Sequence, residues 1–379
     1  MGDPAWASGH APDQAKARPR PKWVDRTLDS ARPVEDLSDQ THNGGIPEIA
    51  PVCGPEVPRE GLNLGEQAPT EDRIKVVNVR ETVENLRAGL ASIHLGGDEL
   101  IERTLICAIS GGHLLIEDRP GTGKTLLARG LTRLLGGQFS RIQGTPDLLP
   151  ADLTGAAVPS ADGLRFEPGP VFADCLLFDE INRATPRTQS ALLEAMAEGA
   201  VTVDGTRHVL PEMFFVVATQ NPQEEEGTFA LPESQLDRFL MLVTPGYPSA
   251  IDEQRILRER PNDRTLPTLT EVMCPKDMLT LRQQAEDIHL AEDAERWIVA
   301  FAQATRLHDQ LQLGLSPRGS LAIATVARSQ ALLAGRDHVR PDDIRQHLIP
   351  TVAHRLRTRS GTAIEPIVDS IADDIAWAV

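Results

Sequence analysis

From Arg73 onward the apolar positions fall into two rhythms. Val76, Val79, Val83, Leu86, Leu90 and Ile93 recur every three or four residues, which is one face of a helix, and the run stops at Gly96-Gly97. A second helix is predicted from Asp98 to about Ser110, turning Leu100, Ile101, Leu105, Ile106 and Ile109 inward. Short continuous apolar runs follow at His113 to Ile116, Gln138 to Ile142, Asp174 to Phe178, Met213 to Ala218 and Phe239 to Val243. They alternate with helical patterns at Leu126 to Leu135, Pro186 to Ala197 and, briefly, Pro232 to Arg238. Strands apolar at nearly every position, separated by helices, predict an α/β fold with a parallel five-stranded sheet covered on both faces.

Two stretches break this alternation. Gln143 to Ala173 is irregular and rich in proline, with a hairpin expected near Gly155 to Arg165. Long inserts of this kind in an α/β domain are usually functional loops. Val201 to Val209 reads as a hairpin turned at Asp204-Gly205. After Pro245 the pattern becomes purely helical, over Ala250 to Glu259, Lys276 to Asp287, Ala291 to Leu307 and Ser316 to Ala334. A further helix opens at Arg340-Pro-Asp-Asp343, and a frayed tail is expected beyond Thr358. The expected organisation is a tail over 1–72, an α/β core over 73–245 and an all-α subdomain over 246–379.

Composition changes the picture mainly at the N-terminus. Residues 1–72 are dominated by Pro, Gly and charged side chains, a mixture that cannot offset its own ordering entropy, so a disordered tail is expected. It is either an inert extension or a partner-binding arm with short segments around Trp23 to Leu28 and Ile46 to Val52. A net charge of −17 argues against non-specific binding to nucleic acid or to an anionic membrane. No run is long enough to span a bilayer, and no apolar leader is evident. The four cysteines, Cys53, Cys107, Cys175 and Cys274, are too scattered for a zinc site or a disulfide framework, and a cytoplasmic location is expected.

Candidate chemistry begins where the first strand ends, at Glu117-Asp-Arg-Pro-Gly-Thr-Gly-Lys-Thr125. A strand, a glycine loop and a helix are the context of a phosphate-binding P-loop. Glycines let successive N–H groups turn toward an anion, and the helix N-terminus adds partial positive charge. The residues expected to hold the nucleotide are Arg119, Pro120, Gly121, Thr122, Gly123, Lys124, Thr125 and Leu126. Lys124 would reach the β- and γ-phosphates, and the Thr125 hydroxyl would bind Mg²⁺. Asp118 stands where the usual motif has its first glycine, a substitution that aspartate's backbone tolerance accommodates.

Asp179-Glu180 closes the third strand. Asp179 there can hold Mg²⁺ through water, and Glu180 can orient and deprotonate the attacking water. Asn221 closes the fourth strand, where a neutral amide can place that water or meet the γ-phosphate. Arg238 and Arg318 follow proline-containing turns and could supply the positive charge that triphosphate hydrolysis requires.

These residues carry a resemblance. The chain from about Asn78 to Leu356 resembles the MoxR family of AAA+ ATPases in four stretches. They are the P-loop, Gln143-Gly-Thr-Pro-Asp-Leu-Leu-Pro150, the run from Asp179 to Met196, and Ala218-Thr-Gln-Asn-Pro222 with Leu231-Pro-Glu-Ser-Gln-Leu-Asp-Arg-Phe239. Members of that family share the Asp118 departure. The resemblance implies that Lys124 and Thr125 are Walker A residues and that Asp179 and Glu180 are Walker B residues. It implies Asn221 as sensor 1, Arg238 as an arginine finger acting on a neighbouring subunit, and Arg318 as sensor 2 on a helical lid. The 143–173 insert corresponds to the family's helix-2 insert, and the 201–209 hairpin to its pre-sensor-1 hairpin. The implied cofactors are ATP and Mg²⁺. The implied assembly is a homo-oligomeric ring, a hexamer, working with a von Willebrand A-type partner on a client protein.

Three other readings compete with that motor. One is a nucleotide-dependent switch or scaffold with slow hydrolysis. Another is a DNA-dependent AAA+ protein, against which the acidic balance and the missing basic, aromatic-interleaved segment both count. The last is a chelatase-like AAA+ subunit, which shares the same motifs.

Overall fold

The computed structural model describes residues 79–117, 121–160, 163–221, 227–261 and 265–377. The expected N-terminal tail lies outside them. All described residues belong to one compact unit, 72–379.

Two helices come first, α1 (Val79–Ile93) and α2 (Asp98–Ile109). Val83, Leu86, Leu90 and Ile93 are buried, so the predicted stripe of α1 is its packing face. The core then runs β1 (Leu114–Glu117), α3 (Lys124–Leu134), β2 (Phe139–Gln143), α4 (Pro150–Thr154), β3 (Gly155–Ser160) and β4 (Gly163–Pro168). It continues through β5 (Cys175–Asp179), α5 (Pro186–Glu198), β6 (Ala200–Val203), β7 (Thr206–Val209), β8 (Phe215–Gln220), α6 (Glu233–Leu236) and β9 (Met241–Val243). The parallel sheet has five strands in the order β2-β5-β8-β1-β9.

Alternate residues of these strands enter different layers. Leu114, Ile116, Leu177 and Val217 pack with α1, α2 and α3, whereas Leu115, Leu176, Phe178 and Val216 pack with α5 and its hairpin. That two-sided burial is why the strands read as unbroken apolar runs. Each such side chain removed from water stabilises the fold by roughly 1.5–3 kcal/mol. β3–β4 and β6–β7 are the two antiparallel hairpins, the second turning at Asp204 and Gly205, both with positive φ. The rings of Phe166 on β4 and His208 on β7 stack at 3.7 Å.

The rest comprises α7 (Ala250–Glu259), α8 (Pro275–Glu286), α9 (Glu292–Leu307), β10 (Leu311–Leu313), α10 (Pro317–Leu333), α11 (Pro341–Val352), β11 (Arg357–Thr358) and α12 (Glu365–Asp374). Its apolar interior is continuous with the α1–α3 layer of the sheet. Two expectations are corrected here. The helical part contains a short antiparallel pair, β10 with β11. The chain beyond Thr358 is not frayed, because α12 buries Ile367, Val368, Ile371 and Ala372, and Trp377 stacks on Trp297 with ring centroids 4.9 Å apart.

Candidate functional site

Three parallel strands deliver their carboxyl ends side by side. Glu117 on β1 is level with Gln220 on β8, and Phe178, just before Asp179, is level with Ala218. Ligands of open α/β sheets bind at such ends. Past β1, Gly121 and Gly123 adopt φ of +94° and +84°, a region that side-chain-bearing residues avoid. Gly123 is the N-cap of α3, and no side chain caps the helix. A glycine N-cap leaves the first N–H groups of α3 without a capping bond from its own N-cap residue, the arrangement found at anion sites. Lys124 donates from Nζ to Thr122 Oγ1 at 2.9 Å. Asp118, Arg119 and Pro120 lie outside the described residues.

Beside this loop opens a cavity of about 540 Å³. Gly121, Thr122, Gly123 and Leu126 line it, with His94 and Gly96 from the α1–α2 turn and Tyr247 and Ile256 from around α7. His94 fills the angle between the two walls. A Cβ on Gly97 would sit 2.2 Å from its Cδ2, and one on Gly123 would sit 3.0 Å from its Nδ1.

At the end of β5, Asp179 is buried, and its Oδ2 accepts from Arg141 Nε at 2.7 Å. Thr219 stands between the two acids: its Oγ1 donates to Asp179 Oδ1 at 3.4 Å and accepts from Glu180 N at 2.9 Å. Glu180 has φ of 54° and ψ of 54°, left-handed for a residue with a side chain. Strain of this sort costs about 1–3 kcal/mol and is found where surrounding structure enforces it. Its Oε2 pairs with Arg183 at 3.1 Å. Gly144 allows the insert to cross here, since its N–H donates to Asp179 O at 2.7 Å and a Cβ would meet Glu180 O at 2.1 Å. Asn221 follows β8, and its carbonyl accepts from Asn182 Nδ2 at 3.3 Å.

The remaining candidates stand apart from the cavity. Arg238, half-buried after α6, donates from Nη1 to the Leu193 carbonyl on α5. Arg318, at the start of α10, is 3.8 Å from Asp237 Oδ2, with its side chain 59% exposed. Thus the strand ends bring Asp179, Glu180 and Asn221 together next to the Lys124–Thr125 helix start, while the two arginines lie along the Asp237–Arg238 segment.

Comparison with known proteins identifies the family. Residues 113–241 match the profile of the ATPase family associated with various cellular activities (AAA), and residues 303–375 match the AAA lid domain. The chain is 39% identical over 306 residues to chaperone MoxR1 of Mycobacterium tuberculosis, an alignment covering 78% of each protein. This chain belongs to the MoxR family of AAA+ ATPases. It is also 44% identical over 291 residues to YeaC of Bacillus subtilis strain 168, whose name states no function, covering 76% of this chain and 91% of that one. A solved protein from Cytophaga hutchinsonii, designated an ATPase, superposes with a TM-score of 0.75 at 32% identity, covering 79% of this chain and 96% of that one.

As a MoxR-type AAA+ ATPase the chain is an ATP hydrolase. Among the described residues, no helix is long and apolar enough to cross a membrane. Two side chains beside these candidates carry no individual sequence signal: Arg141, which meets Asp179, and His94, which lines the cavity. Each is an ordinary polar residue until the fold brings its partner to it.

Proposed function

We propose that ATP is bound with its phosphates on the α3 N-terminus and its base in the His94–Tyr247 cavity, and is hydrolysed at the ends of β5 and β8. The observation that carries this reading is the glycine-capped α3 N-terminus behind two left-handed glycines, on the same strand-end side of the sheet as a buried Asp179 and a half-buried Glu180. In the reading, the backbone of Gly121 to Gly123 and the Lys124 ammonium hold the phosphates, and Leu126 lines the base side. Glu180 takes the proton of the attacking water, Asn221 orients that water, and Arg318 supplies positive charge from the same chain. Thr125 and Asp179 are hard oxygen donors of the type Mg²⁺ requires, and the ion would neutralise charge on the β- and γ-phosphates.

Arg238 completes the site of the next subunit in a homo-oligomeric ring, which we take to be a hexamer. Residues 73–245 act as the nucleotide-binding core and 246–379 as the lid. The ring remodels or activates a client protein with a von Willebrand A-type partner, through the β3–β4 and β6–β7 hairpins. The Phe166–His208 stack supports joint movement of those hairpins. The test is subunit mixing. Glu180→Gln and Arg238→Ala chains should each be inactive alone and regain ATP hydrolysis when combined; a mixture as inactive as its components contradicts the finger acting between chains.

A further inference from the structure

The segment bearing Arg238 is gripped from the lid by one buried guanidinium. Arg355 follows α11 in a short 3₁₀ turn, and its side chain is only 2% exposed. Its Nε donates to Asp237 Oδ1 at 2.8 Å, its Nη2 to Phe239 O at 2.7 Å and its Nη1 to Leu240 O at 3.2 Å. Arg355 therefore holds the chain on both sides of Arg238. His354 packs in the same place, with Nε2 3.0 Å from Phe239 O and 2.7 Å from Arg355 Nη1. Burial pulls the Arg355 guanidinium below its ordinary pKa, and the Asp237 carboxylate opposes that effect.

The other oxygen of Asp237 turns to a different element. Oδ2 lies 3.4 Å from Ser316 Oγ and 3.8 Å from Arg318 Nη1, at the N-terminus of α10. One carboxylate thus spans two arginines of opposite circumstance. Arg355 is buried and fully engaged; Arg318 is largely exposed and more loosely held. A weakly held exposed cation can leave for a stronger anion, whereas a buried one cannot give up its counter-charge cheaply.

We propose that Asp237 is a positioning residue that makes the placement of Arg238 depend on the nucleotide state of its own subunit. This rests on the reading of Arg238 as a finger acting between chains and of Arg318 as a contact to the same chain's nucleotide. When Arg318 is drawn to a triphosphate, Asp237 retains Arg355 and loses its second cation. The carboxylate then settles on the lid side, and the adjoining Arg238 shifts with it. The finger offered to the neighbour thereby reports whether its own site is filled.

The experiment uses full-length chains in the mixing assay. Glu180→Gln subunits donate fingers and Arg238→Ala subunits supply competent sites, so turnover in the mixture measures the donated finger alone. Asp237→Asn is placed in the donor in one mixture and in the acceptor in another. Misplacement of a catalytic group by an ångström can cost about a hundredfold, so the donor placement is expected to lower turnover at least about tenfold and well beyond the acceptor placement. General destabilisation of the fold would affect both placements alike. Equal losses, or a larger loss from the acceptor placement, overturn the proposal. If the parent mixture without Asp237→Asn has no turnover, the inter-chain finger itself is wrong and the proposal falls with it. Should Asp237→Asn unfold the chain by stranding the Arg355 charge, Asp237→Asn combined with Arg355→Met removes both charges and is read in the same two placements, with the same expectation.

Discussion

Arg141 Nε donates to Asp179 Oδ2 at 2.7 Å, joining the exposed side of β2 to the most buried carboxylate of the site. The guanidinium supplies positive charge to a carboxylate that, in the proposed site, would help to hold Mg²⁺. Arg141→Gln should lower the stability of the nucleotide-free protein by about 1 kcal/mol, because half of the pair is solvent-exposed. It should also lower the Mg²⁺ concentration needed for half-maximal nucleotide binding, by roughly twofold to fivefold, about 0.4–1 kcal/mol. Urea unfolding and a nucleotide titration at several Mg²⁺ concentrations check both. An increased Mg²⁺ requirement would show that Arg141 supports the cation site instead of competing for it.

Glu180 is the less buried acid of the pair, in a left-handed backbone position whose N–H donates to Thr219 Oγ1. Glu180→Gln keeps the shape and removes the base. Hydrolysis should fall at least about a hundredfold, the usual contribution of a general base, while nucleotide affinity stays within a few-fold. Equilibrium binding and single-turnover hydrolysis separate the two effects. Parallel loss of binding would mean that Glu180 holds the nucleotide and does not act on the water.

The crossing at Gly144 makes a steric prediction. Gly144→Ala drives a Cβ into the Glu180 carbonyl, a backbone atom that can move only by displacing both acids. Overpacking of this kind costs about 1–3 kcal/mol, and turnover should drop by roughly tenfold or more as the acids shift. Gly199→Ala is the control: its φ is +57° but nothing lies near the added methyl. It should cost about 1 kcal/mol of stability through backbone strain and leave turnover intact. Thermal unfolding and steady-state rates on both variants distinguish local displacement from general destabilisation.

Acid should weaken the fold through buried histidines. His113 accepts from Val216 N–H at Nδ1, a bond that its protonated form cannot accept, and burial lowers its pKa to about 4. Burial likewise lowers His347 to about 4, and neither of its ring nitrogens has a hydrogen-bond partner among the described residues. Both pKa values are depressed on folding, so the unfolded chain binds more protons between about pH 6.5 and 4. Stability therefore falls as pH drops through that window, by up to about 3 kcal/mol per histidine at pH 4. Unfolding curves from pH 7.5 to 4.5 measure it. His347→Leu should flatten the decline, and an unchanged slope would assign the acid sensitivity elsewhere.

Pattern and structure part company according to how local the information is. β5 and β8 were legible because both faces are covered, which turns burial into unbroken apolar runs. The P-loop was legible because its glycines, lysine and helix are contiguous. β10 and β11 were not, since strands of three and two residues carry no periodicity and their pairing joins distant segments. α12 reads as frayed tail for another reason: its apolar run, Ile367, Val368, Ile371 and Ala372, is short and follows Gly361 and Pro366 near the chain end. Arg141 with Asp179 and Arg355 with Asp237 were invisible because each pair is 38 or 118 residues apart in the chain. A motif names the residues that meet the ligand, and only the fold names those that hold them.

The most direct measurement is the rate of ATP hydrolysis per subunit as a function of protein concentration, for wild type and for Arg238→Ala. Arg238 is hydrogen-bonded to the Leu193 carbonyl of its own α5, and in the proposed ring it serves the neighbouring site, so a lone subunit would lack a finger. An arginine finger contributes about three to five powers of ten in rate, so wild type should be nearly inactive when dilute and rise steeply as chains associate. Arg238→Ala should stay low at every concentration. A wild-type rate independent of concentration, matched by Arg238→Ala, would contradict a site completed between subunits.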